Sequence, residues 1–357
     1  MGRRRYLDWA RGLAVLIMIQ AHVLDSWTRI DARGSWQYAW AMIVAGFGAP
    51  MFLFLAGVSV ALSAGSKHRR TGDWDAAASA VMKRGGWVFF LAFLFRLQAW
   101  ALGWGAPRTM LKVDILNVMG PSIVAAGALW GSFRIPRRRL AAFAAVAAAI
   151  SIVTPIVRVT RMLDGLPDVL EAYVRPLGGL STFCFFPWSG FVFAGAVVGL
   201  LLDGARSPDR ESRVHVWFAI GGAALAAAAY AASFLPSPYA HSEFWGSSPA
   251  FFALRVGILT LLLPCAYVWE RAIVRQSWSP IAQLGRSSLF IYWIHVEMVY
   301  GLLSIRIHKT LSHPQAWAAY LAFVVLMLLC SLGKDRVVRW WNNRRRPAPY
   351  LIESRTF

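Results

Sequence analysis

Apolar residues in this chain come in blocks of about 18 to 26, the length that crosses a bilayer core at 1.5 Å per residue. Membrane helices account for such blocks and a soluble core does not. With 58% hydrophobic and 15% charged residues, and a mean hydropathy of +0.50, the composition is equally far from that of a water-soluble domain. Spans are predicted near residues 7–27, 38–63, 86–104, 114–131, 140–157, 186–202, 214–234, 250–270, 287–305 and 315–333. The fold expected is therefore an all-α polytopic bundle of about ten helices. Gly46, Gly48 and Pro50 interrupt the second span and predict a kink or half-helix, tolerated at membrane depth only where neighbouring protein satisfies the freed backbone groups. The longest loop, Arg158 to Phe185, has room for one short helix.

Charge orients the bundle. Arg3 to Arg5, the Lys67 to Arg84 stretch, Arg134 to Arg139, Arg206 to Arg213, Arg271 to Arg286 and the segment from Lys334 fall on one side, whereas Pro236 to Trp245 carries no Lys or Arg. By the positive-inside rule both termini are cytoplasmic. A net charge of +20 and a pI near 10.9 could suggest nucleic acid, but the basic residues are spread over alternate loops rather than gathered on one surface. Membrane lipids, not nucleic acid, are the expected partners, with attraction to anionic headgroups.

The first span carries Asp8, Arg11 and His22 and is too long for a signal-peptide core, so it is expected to remain in place. Without internal repeats or a long extramembrane stretch, residues 1–340 read as a single transmembrane domain and 341–357 as a basic cytoplasmic tail. Cys184, Cys265 and Cys330 are widely separated, which suggests neither a disulfide framework nor a metal site.

Function has to be read from ionisable residues inside the membrane, each of them costly there. At 100° per residue Arg11 and His22 differ by about 20° around the first helix, and Asp8 and Asp25 fall within about 60° of the same stripe. The helix thus carries a polar seam. In the ninth span Ser288, Tyr292 and His295 share a face by i, i+4, i+7 spacing, while Glu297 points almost the opposite way and needs its own partner. Arg96 and Arg255 are the candidates for that partner. The structural alternative is that Arg11 snorkels to headgroups, His22 bonds a backbone carbonyl and the remainder is an ion-pair network holding the helices together.

The segment "YLDWARGLAVLIMIQAH" resembles the Asp-x-x-Arg-Gly opening of the transmembrane acyltransferase superfamily, in the branch related to the heparan-alpha-glucosaminide N-acetyltransferase catalytic domain. Its ten residues between Arg11 and His22 are also similar to acyltransferase-3 proteins. "GAPMFLFLAGVSVAL", "VDILNVMG", "FFPWSGFVFAGAVVG" and "LGRSSLFIYWIH" follow in the family's order, without the lumenal domain that precedes the helices in the eukaryotic enzyme. The resemblance implies transfer of an acyl group, commonly acetyl, from cytoplasmic acetyl-CoA to a hydroxyl or amine at the opposite membrane face. The acceptor class it suggests is a saccharide or other envelope component; the donor is a substrate, and no tightly bound cofactor is expected.

In such a mechanism His22 is the candidate general base and Asp25 a group to orient its ring, with His295 and Glu297 as further catalytic candidates. Arg11 suits the donor's phosphates, Arg96 or Arg255 an oxyanion, and Ser288 and Tyr292 complete the donor-binding set. A bacterial inner membrane is the expected location, and the oligomeric state is left open. A proton-coupled transporter or flippase also uses intramembrane carboxylates and a broken helix, and a scaffold without catalysis is a third reading.

Overall fold

The computed structural model describes residues 3–103, 106–274 and 277–344. Its helices are α1 Arg5–Trp27, α2 Trp36–Ala45, α3 Gly48–Thr71, α4 Trp74–Gly103, α5 Ile115–Ser132, α6 Pro136–Val159 and α7 Asp168–Val174. They are followed by α8 Phe185–Gly204, α9 Pro208–Ala232, α10 Pro249–Trp269, α11 Pro280–Arg286, α12 Ser288–Tyr300 and α13 His313–Arg344. β-pairing among these residues is confined to two isolated bridges, so the bundle is all-α. The short helix expected between Arg158 and Phe185 is α7, and the loop around it is pinned by Arg175, which pairs with Glu171 at 2.6 Å and with Asp164. Those two carboxylates hold the Arg175 guanidinium above its usual range. Residues 345–357, most of the expected tail, and Arg275 lie outside the described residues, while α13 runs on to Arg344, past the expected boundary at 341.

Nine segments among the described residues are long and apolar enough to cross a membrane, α2 and α3 counting as one across their break at Gly46 and Phe47. The ninth predicted span, 287–305, is not one of them. Its helix α12 has 13 residues, about 20 Å against a core of about 30 Å. It is instead extended by α11 on the far side of Ser287, so the crossing is assembled from two pieces.

At that junction α13 grips side chains of the break: Ser331 Oγ donates to Ser287 Oγ at 2.8 Å, Lys334 Nζ to the same oxygen at 2.7 Å, and Gln283 Nε2 to Asp335 at 2.7 Å. The backbone at the break is closed locally, the Ser287 N–H donating to Leu284 O at 3.1 Å and Gln283 O at 3.3 Å, which membrane depth requires of a broken helix.

Two helices meet at α1 with almost no space between backbones. Gly285 of α11 lies against α1 so closely that a Cβ there would fall 1.8 Å from the Asp8 carbonyl oxygen, and one on Gly12 would fall 1.9 Å from that of Ile281. Small residues permit this contact, on which helix association in lipid depends. Gly285→Ala should therefore destabilise the bundle by about 1–3 kcal/mol through overpacking. Thermal unfolding in detergent measures it, and an unchanged midpoint would contradict the packing described.

These contacts fix direction. With Gly285 at the start of α1 and Val299 O accepting from Ser26 Oγ (2.9 Å) and Trp27 Nε1 (3.2 Å) at its end, α11 and α12 run parallel to α1. From Leu311, whose N–H donates to Trp27 O at 2.9 Å, α13 returns to Gln283. Both ends of the described chain therefore share one face. Arg4 ties it together, binding Glu211 at 2.6 Å and the carbonyls of Leu202 and Ala205. That face carries the basic loops and is cytoplasmic by the positive-inside rule. In a background free of Cys184, Cys265 and Cys330, a cysteine replacing Tyr239 should react with an impermeant thiol reagent from outside and one replacing Arg138 only after permeabilisation. The opposite pattern would invert the topology.

Candidate active site

A cavity of about 1240 Å³ runs through the bundle between α1, α3, α4, α5 and α12. Arg11, Ser59 and Arg84 line its cytoplasmic part and Asp25, Leu302 and His308 its opposite part. Arg11 and Asp25 are 14 residues apart on one helix, about 21 Å, so the cavity reaches through most of the bilayer core. Of the predicted polar seam of α1, Arg11, His22 and Asp25 lie on its wall, while Asp8 is buried beside Arg11.

His22 lies on that wall, and α12 brings His295 against it: His22 Nδ1 and His295 Nε2 are 2.8 Å apart, with the rings only 5° from parallel. The other nitrogen of His295, Nδ1, is 2.8 Å from the carbonyl oxygen of Ile291. A carbonyl only accepts, so His295 Nδ1 carries the hydrogen and its Nε2 a lone pair. Neutral His22 must then donate through Nδ1, which leaves Nε2 with its lone pair on a side chain lining the cavity. The chain carbonyl–His295–His22 thus selects a tautomer, as a carboxylate does in a hydrolase triad.

His295, on the face it was expected to share with Ser288 and Tyr292, meets the seam of α1 but is fully buried behind His22 and does not itself line the cavity. One expectation is corrected by this arrangement: Asp25 does not orient the His22 ring. Its carboxylate accepts from Tyr300 Oη at 3.0 Å and sits 3.8 Å from Arg33. Helical phase placed both on the right stripe but could not say which neighbour would reach the ring first.

Arg11 reaches the cavity already engaged, with Asp8 at 3.2 Å and Ser59 Oγ as partners, Asp8 also taking Arg3 at 2.7 Å. The expected pairing of Glu297 with Arg96 or Arg255 is not made. Arg96 binds Asp114 at 2.8 Å, and the guanidinium of Arg255 lies 3.9 Å above the centre of the Phe251 ring and does not line the cavity.

Asp114 is the residue that sequence reasoning missed. Its Oδ1 accepts from Ile115 N at 2.7 Å while Asn117 returns a bond to its own N–H, a capping box that starts α5. The remaining oxygen takes Arg96 and the Tyr292 hydroxyl, the latter at 3.1 Å. An Asp-x-x-Asn spacing ahead of an apolar run was the available signal. Cys184, just before α8, is buried, and burial pushes its thiol up to about 11.

A membrane-spanning cavity with a tautomer-locked imidazole on its wall defines a polytopic membrane protein with a proton-accepting nitrogen facing that cavity. The sequence model of the heparan-alpha-glucosaminide N-acetyltransferase catalytic domain matches residues 3–227, more than half of the chain. The chain belongs to that family, one of membrane acetyltransferases. His22, Arg96 and Asp114 lie inside the matched region; Ser288, Tyr292, His295 and Glu297 lie beyond it. No curated protein matches the chain.

Proposed function

We propose that this protein moves an acetyl group from cytoplasmic acetyl-CoA to a hydroxyl or amine of a saccharide presented from the opposite face of a bacterial inner membrane, with residues 1–340 forming one catalytic domain. The observation that carries the reading is the lone pair of His22 Nε2, held in place by His295 on the wall of the cavity. As the acceptor attacks the thioester carbonyl, His22 Nε2 takes its proton. The tetrahedral intermediate then collapses, the C–S bond breaks, and the same proton passes to the departing thiolate. Arg11 and Arg84 supply positive charge at the cytoplasmic part of the cavity, where the donor's phosphates enter. Tyr292, Arg96 and Asp114 brace the wall opposite.

Purified protein tests this with labelled acetyl-CoA and a panel of neutral and amino saccharides. Acetyl transfer supports the reading. Solute flux without acyl chemistry would favour a carrier, and neither activity a scaffold.

A further inference from the structure

Among the described residues three carboxylates line the cavity, those of Asp25, Asp114 and Glu297. Two are already filled. Asp25 accepts from Tyr300 and lies beside Arg33, while Asp114 accepts from Arg96, Tyr292 and the first N–H of α5. Glu297 differs: its Oε1 is buried with no hydrogen-bond partner among the described residues, and neither Arg96, bound to Asp114, nor Arg255, stacked on Phe251, pairs with it although each keeps a buried Nε–H unpartnered. A carboxylate at membrane depth costs far more than one at a surface, and one left without a donor costs more still. A donor that arrives from the cavity would relieve that cost.

Position narrows what that donor is. Glu297 follows His295 by two residues, about 3 Å along α12, so it is level with the histidine pair. Trp293, one turn before it, is fixed by its indole N–H to Gln98 Oε1 at 2.7 Å, which holds this face of α12 toward α4. A molecule whose attacking group lies at His22 would therefore offer its other polar groups at this level. Adjacent hydrogen-bond donors are what a sugar ring carries.

We propose that Glu297 is the acceptor-binding carboxylate of this site, accepting a hydrogen bond from a second hydroxyl or ammonium of the saccharide while the first reacts at His22. The assignment rests on the acyl-transfer reading. It makes Glu297 a determinant of acceptor choice rather than a base.

Kinetics of the full-length protein with glucose, glucosamine and N-acetylglucosamine test it. Glu297→Gln should raise the acceptor KM at least about tenfold, the worth of a hydrogen bond to a charged group, and leave kcat and the KM for acetyl-CoA within about threefold. The unchanged donor KM reports an intact fold. A larger loss for glucosamine than for glucose identifies an ammonium as the donor; equal losses identify a hydroxyl. An unchanged acceptor KM, or a loss confined to kcat, overturns the assignment. Should the parent transfer acetyl to none of the three, the acyl-transfer reading fails on its own, and equilibrium dialysis of labelled glucosamine still decides. Weaker binding by the Gln variant supports the proposal, whereas equal binding, or none by the parent, overturns it.

Discussion

His22→Ala is expected to insert and purify like the parent, retain acetyl-CoA binding and lose about 10²- to 10⁴-fold in acetyl transfer, the range for removal of a general base. The loss should fall in kcat, because the imidazole acts on a proton that moves only as the acceptor attacks. Stability should fall much less, by about 1–3 kcal/mol, since the substitution leaves only one buried partner, His295 Nε2, without its donor. His22→Gln separates the two roles: an amide can donate to His295 but has no basic nitrogen to offer the cavity, so it should restore stability and not rate. Turnover of the Ala variant within about threefold of the parent would remove His22 from the chemistry.

Replacing His295 should lower kcat by about 10- to 100-fold with acceptor KM unchanged, the usual cost of losing the group that orients a functional histidine. His295→Leu removes both the acceptor for His22 Nδ1–H and the donor to Ile291, so the His22 ring is free to turn and to hold its proton on either nitrogen. His295→Gln can keep both contacts, its amide oxygen accepting from His22 and its amide nitrogen donating to the carbonyl. Recovery by Gln of at least part of what Leu loses is the signature of positioning. Equal losses from the two substitutions would argue for packing alone, and no loss from either would show that His22 works unaided.

The sequence made the membrane fold legible because span length, loop charge and helix-breaking residues are local quantities. The break near Gly46 and the polar seam of α1 follow from them. Where α11 stops and α12 begins did not. A hydropathy window averages across Ser287, and the groups that grip its hydroxyl, Ser331 and Lys334, belong to another helix. The site was legible in its members and not in its wiring. Helical phase said which way His295 and Glu297 point, but which of them meets His22, and that Arg96 is taken by Asp114, depends on contacts between helices far apart in the chain.

The two imidazoles are separated by 273 residues, on the first crossing and the last but one. At 5 to 20 residues per second, synthesis takes roughly 14 to 55 s to get from one to the other. Throughout that interval the emerging chain has His22 without the neighbour that sets its proton, and a cavity lacking the wall that α12 supplies. On the proposed mechanism the protein is therefore inactive while it is being inserted, and a fragment ending between residue 227 and α12 is expected to carry the whole of the matched family segment without catalysing acetyl transfer.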